Sequence, residues 1–117
     1  MSESLVAFLG IGKGTWGHVA RLIDSKEWNN LILITNEWGK ENFKASKEAN
    51  FIVVESRQGF DALKQAIQDS LPEDLGEVSL SLVSGNGREH TAIIAALKDK
   101  KQDFKLVMLT KDGVKYY

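Results

Sequence analysis

A chain of 117 residues has the size of one compact domain with one hydrophobic core, and a single domain over residues 1–117 is expected. Its 15 Lys and Arg are balanced by 16 Asp and Glu. This excludes a broad positive field, so duplex nucleic acid is not an expected partner and any polyanion must be gripped locally. The absence of cysteine excludes a disulfide scaffold and a thiolate metal site. No signal-like start or run near the roughly 20 apolar residues of a membrane span occurs, so a soluble, cytoplasmic protein is expected.

Short apolar runs alternate with helical patterns along the chain, which predicts a parallel sheet covered on both faces. Leu5 to Leu9 reads as the first strand. Trp16 to Ser25 reads as the first helix, with Val19, Leu22 and Ile23 at the spacing of one buried stripe. Leu31 to Thr35 is a continuous apolar run suited to a central strand. The stretch Asn36 to Glu41 is polar, a short helix is expected near Glu41 to Lys47, and Phe51 to Val54 is the third strand. Phe60, Leu63, Ile67 and Leu71 mark one face of a helix that stops before Pro72. Val78 to Val83 is the fourth strand. Arg88 to Lys98 is the next helix, with Asn86 and Glu89 spaced as a capping box. Phe104 to Thr110 is the fifth strand, and the Asp112-Gly113 turn predicts an antiparallel sixth over Val114 to Tyr117. The fold class expected is α/β: a three-layer, Rossmann-like parallel sheet of order 3-2-1-4-5 with an antiparallel C-terminal strand.

Two glycine-rich turns follow strands and open helices. The first lies in LVAFLGIGKGTWG, Leu5 to Gly17, and the second is Ser84-Gly85-Asn86-Gly87-Arg88. Main-chain N–H groups in such turns, with the positive end of the following helix, attract phosphate. In a parallel sheet both turns emerge on one edge and are expected side by side. The triphosphate-binding P-loop is excluded, since Ala7 stands where its first glycine belongs and Gly14 follows Lys13. Gly12, Gly14 and Gly17 do spell GxGxxG, and Glu37 lies where a dinucleotide fold places its ribose-binding acid, so an NAD- or nucleotide-binding regulatory module is one reading. Trp16 argues against it, because an indole at the helix start crowds the backbone approach that the fingerprint permits.

The pair Gly12-Lys13-Gly14-Thr15-Trp16 and Ser84-Gly85-Asn86-Gly87-Arg88-Glu89-His90, on a chain ending in a strand hairpin, resembles the CRISPR-associated Rossmann-fold domain, CARF. The resemblance covers nearly the whole chain in order of elements, with the two turns as its specific part. It implies that the chain binds cyclic oligoadenylate, a second messenger of type III CRISPR antiviral signalling, across a homodimer. By resemblance, Ser84, Gly85, Asn86, Gly87 and Arg88 match the second turn, and Lys13, Gly14 and Thr15 fall in the first. Gly12, Trp16, Asn36 and Trp38 complete the ligand-binding set. Most members carry an attached effector; no residues here are left for one, which leaves a stand-alone sensor or a ring nuclease as readings.

A ring nuclease of this kind is metal-independent: the ring's own 2′-hydroxyl attacks the adjacent phosphodiester. Lys13 and Arg88 would then stabilise the charged phosphorane, Ser84 would hold the ribose, and His90 would transfer a proton near neutrality. His90 reads equally as an imidazole hydrogen-bonded near a helix start, and His18 as a side chain of the first helix. No cofactor is implied, and two histidines without clustered carboxylates make no metal site. Trp16 and Trp38 are placed to stack on adenine or to line a dimer interface. Trp28 caps the core at a helix end, and Lys98 to Lys101 is a solvated helix end. A plain interaction domain without a ligand is the third reading.

Overall fold

A computed structural model describes residues 2–117. Six strands form one sheet of order β3-β2-β1-β4-β5-β6. They are β1 (Glu3–Phe8), β2 (Asn30–Thr35), β3 (Asn50–Val53), β4 (Glu77–Ser81), β5 (Phe104–Thr110) and β6 (Gly113–Tyr116). The first five run parallel, and β6 returns antiparallel through the Asp112-Gly113 turn. The sheet is therefore the α/β architecture expected from the alternation, and β1 lies centrally between β2 and β4.

Why β1 takes the centre follows from its composition. Leu5, Val6, Ala7 and Phe8 are all buried, so the strand needs cover on both faces. Val6 and Phe8 join one core layer with Ile32, Ile34, Val78 and Leu80, under helices α3 (Phe60–Ser70) and α4 (Gly87–Asp99). Leu5 and Ala7 face the other layer, where Val19, Leu22 and Ile23 of α1 (Trp16–Asp24) supply the expected stripe. Helix α3 ends at the Leu71 cap, one residue before Pro72. Helix α4 begins on the expected capping box: Asn86 accepts the Glu89 N–H, and Glu89 accepts the Asn86 N–H.

The short helix after β2 differs from expectation. It occupies Glu37–Asn42 (α2) rather than Glu41 to Lys47, because the Asn36 side chain accepts the Gly39 N–H at 2.8 Å and starts the helix earlier. Phe43 then leaves the helix to bury itself beneath α1. Strand ends shift by up to two residues; β4 stops at Ser81, which leaves Leu82 and Val83 to the turn.

The two faces are not covered evenly. On β5, Val107 and Leu109 point to the α1 layer, so by alternation Leu106 and Met108 point to the α3–α4 side, and both are exposed. Tyr117 exchanges two main-chain hydrogen bonds with Leu106 and Lys115 pairs with Met108, which puts both on that same uncovered face. No helix among the described residues is long and apolar enough to cross a membrane.

Candidate functional site

At the C-terminal edge of the sheet the turns after β1 and β4 meet. The Gly10 N–H donates to Ser84 Oγ at 2.8 Å, and a Cβ on Gly10 would lie 3.0 Å from the Gly85 nitrogen. Only glycine allows backbones to approach this closely. Gly85 itself has φ +99°, and a Cβ there would meet Phe8, Glu89 and His90 within 3.2 Å. Ser84, 1% exposed, is therefore the bolt between the turns, and its hydroxyl retains its own proton to donate.

Between the turns lies a cavity of about 510 Å³. Of the expected ligand contacts, Gly12, Gly14, Thr15, Asn36, Ser84, Gly85 and Asn86 line it. The sequence reading missed Gly10, Ser56 and Glu89, which line it too. Ser56 had a signal: Glu55 to Gly59 is a third polar loop leaving a strand on the same edge.

The polar groups facing this space are mostly neutral donors. Asn36 and Asn86 each spend the side-chain oxygen on a helix cap, and neither amide nitrogen has a partner among the described residues. At the start of α4, the Glu89 N–H is taken by Asn86 and the His90 N–H by the Asn86 carbonyl. The Gly87 and Arg88 N–H groups of that first turn have no acceptor inside the helix. Glu89, 8% exposed in the cavity wall, turns its carboxylate back to accept the Asn86 N–H at 2.9 Å.

Several expected contacts stand outside the cavity lining, each for a visible reason. Arg88 donates both terminal nitrogens to the Ser56 and Gln58 carbonyls, so its guanidinium is turned onto the β3–α3 loop. The Lys13 ammonium sits 5.8 Å from the Trp16 ring and 5.5 Å from the Trp38 ring, drawn by the aromatic faces. Trp16 is 8% exposed: its indole N–H donates to the Gly10 carbonyl at 3.0 Å, and its ring packs on Trp38 and Phe43. It props the first turn from behind and offers no free stacking face. Trp38 remains 42% exposed beside a shallower groove with Asn36, Glu37 and Glu55. Gly87 opens α4 without lining the cavity.

The two histidines are structural in this arrangement. His90 Nε2 lies 2.7 Å from the Ser84 carbonyl, and because a carbonyl only accepts, Nε2 carries the proton. His18 accepts the Leu109 N–H at 3.0 Å on Nε2, tying α1 to β5. Burial, followed by the nearby Arg21 charge, holds the His18 pKa below its usual value, as an accepting imidazole requires. Trp28 caps the core as expected, its indole donating to the Leu22 carbonyl. Among the described residues no group of three His, Asp or Glu side chains is placed to hold a metal ion.

No family model matches the chain, and no curated protein matches it in sequence. Among solved structures, Enterococcus italicus Csm6 bound to cyclic hexa-2'-fluoro-hexa-dAMP shares the fold at a TM-score of 0.63 and 15% identity. The match covers 95% of this chain and 34% of that one, so this chain spans about a third of that neighbour's length. The two share an α/β, Rossmann-like fold. It contains the strand order and the C-terminal hairpin expected from the strand–helix alternation and the Asp112-Gly113 turn.

Proposed function

We propose that this CARF-like domain binds cyclic oligoadenylate, in type III CRISPR antiviral signalling, with the ring seated over the paired turns of two chains. The observation that carries the reading is the bolted junction of the two turns, Gly10 to Ser84, beside a cavity lined by Thr15, Asn36, Ser56, Ser84 and Asn86, neutral polar side chains, with Glu89 as its one acidic residue. Such neutral groups suit phosphodiesters, whose single charges need hydrogen bonds more than strong counter-charge. A neighbour of the same fold was solved with a cyclic oligonucleotide, which supports the same ligand class.

A homodimer follows from size and symmetry. A cavity of about 510 Å³ is of the class that holds a drug-sized ligand, whereas a ring of four or six nucleotides is larger. A two-fold pair gives a two-fold ring two equal cavities. The uncovered face of Leu106, Met108 and Tyr117, with Lys115 beside them, is a largely apolar surface for the second copy to cover.

The dinucleotide reading loses its footing in the glycines. The third glycine of that fingerprint exists for close helix–strand packing, yet a Cβ on Gly17 meets nothing within 4 Å. Ring cleavage remains the finer form of the proposal. Of its four expected residues only Ser84 lines the cavity, so cleavage by this chain requires Lys13 to swing in from its tryptophans.

Thermal-shift and light-scattering measurements with cyclic tetra- and hexa-adenylate, NADH and ATP test the proposal. Stabilisation by a ring, at one ring per two chains, is the expected result. Stabilisation by NADH alone would replace it with the dinucleotide reading. Incubation with each ring in chelator, followed by chromatography for linear products, tests cleavage.

A further inference from the structure

The loop between β3 and α3, residues 54–59, forms one wall of the cavity through Val54 and Ser56. Its ends are fixed. Val54 N–H donates to the Thr35 carbonyl at 2.8 Å, and the Gly59 carbonyl accepts the first bond of α3 from Leu63. Between those ends, Glu55 serves the loop internally, accepting the Arg57 N–H on its carboxylate and the Gln58 N–H on its carbonyl. Among the described residues, the one hydrogen-bonded tie from positions 55–58 to the rest of the fold is the Arg88 guanidinium, which takes the Ser56 and Gln58 carbonyls together.

We infer that Arg88 is a positioning residue, a strap that holds Ser56 in the cavity wall, and that it does not contact the ligand's phosphates. The inference rests on the ligand class proposed above, with Arg88 removed from the set of phosphate contacts. Chemistry favours the strap. A planar guanidinium presents donors on two separate nitrogens in a fixed fork and serves the two carbonyls with one nitrogen each, whereas an ammonium has a single nitrogen on a flexible stem and no such fork. The arginine sits in the first turn of α4, whose cap and preceding turn build the opposite wall. One side chain therefore sets the width of the cavity between the β3–α3 loop and the second glycine turn. Moving Arg88 onto a phosphate would release both carbonyls and leave the wall tied only at its ends.

The test uses the full chain and its Arg88→Ala and Arg88→Lys variants. Hydrogen exchange of the ligand-free proteins should show faster exchange at residues 55–60 in both variants, with β1 and β4 unchanged as the check on folding. Titration with cyclic tetra- and hexa-adenylate should show affinity reduced about tenfold, mainly through faster dissociation. The dependence of log affinity on log salt should keep its wild-type slope. A direct phosphate contact, when lost, instead lowers that slope by about 0.7. Unchanged exchange at 55–60 in Arg88→Ala overturns the strap, and a reduced salt slope overturns the claim that Arg88 avoids phosphate. Were the wild type to bind neither ring, the ligand class would fall, and the strap would still stand or fall on the exchange data.

Discussion

In the turn after β4, Gly85 is held at φ +99° between Phe8, Glu89 and His90, the Ser84 carbonyl is fixed by His90, and a capping box closes the helix behind it. In the turn after β1, a Cβ on Gly12 or Gly14 meets nothing within 4 Å, and Ile11 is 77% exposed. Its fixed point is Gly10, bolted to Ser84 and propped by the Trp16 indole. Similar composition thus serves two purposes. The second turn is preorganised, its geometry over-determined by packing. The first keeps open space at Gly12 and Gly14 and a cation parked on two tryptophans.

Gly85→Ala probes this contrast most severely. It places a Cβ into a left-handed, crowded site and should cost about 2–4 kcal/mol, the combined scale of positive-φ strain and overpacking. Gly12→Ala and Gly14→Ala should each stay within about 0.5 kcal/mol of wild type. Urea unfolding reads all three, and a tolerated Gly85→Ala would break the comparison.

Ser84→Ala removes the bolt without adding bulk. The Gly10 N–H loses its acceptor in a part-buried site, with an expected loss of about 1–3 kcal/mol by the same assay. Ring affinity should fall as well, because the two turns are no longer tied.

Lys13→Ala sharpens the account of the open turn. The ammonium belongs to an exposed side chain whose contacts are with the rings of Trp16 and Trp38, so stability should hold. Affinity for a cyclic oligoadenylate should drop by about 1.5 kcal/mol, the lower scale of a charged hydrogen bond, as calorimetry would report. Equal affinity would assign Lys13 to the tryptophans alone.

The smallest effect lies in pH. With the His18 pKa lowered on folding, the unfolded chain takes up the proton first. The stability contribution is complete above the unfolded value of 6.5 and is lost as pH falls below it. Urea midpoints measured from pH 7.5 to 5 should decline more in wild type than in His18→Gln, which keeps a neutral acceptor.

Much of the fold was legible because burial on both faces leaves a plain mark: Leu5 to Leu9 and Leu31 to Ile34 admit no polar residue on either side. The Asp112-Gly113 hairpin and the Asn86–Glu89 box were legible for a similar reason, since each is local chemistry at fixed spacing. The helix at Glu37–Asn42 was displaced in the reading because its start depends on one cap, Asn36 on Gly39. The site was legible to the level of its turns and no further. Sequence gives a glycine but not the backbone it must pass, so Gly12 and Gly14 drew attention while Gly10 made the contact. It gives an arginine beside a glycine turn but not the two carbonyls, 30 and 32 residues away, that claim its guanidinium.

The central claim, that the paired turns form the seat of a cyclic oligoadenylate, is tested most directly by amide chemical shifts of the labelled protein titrated with cyclic tetra- and hexa-adenylate. The account predicts saturating shifts concentrated at Gly10 to Thr15, Asn36 and Ser84 to Gly87. Turn amides that stay in place while either ring saturates its binding would contradict it.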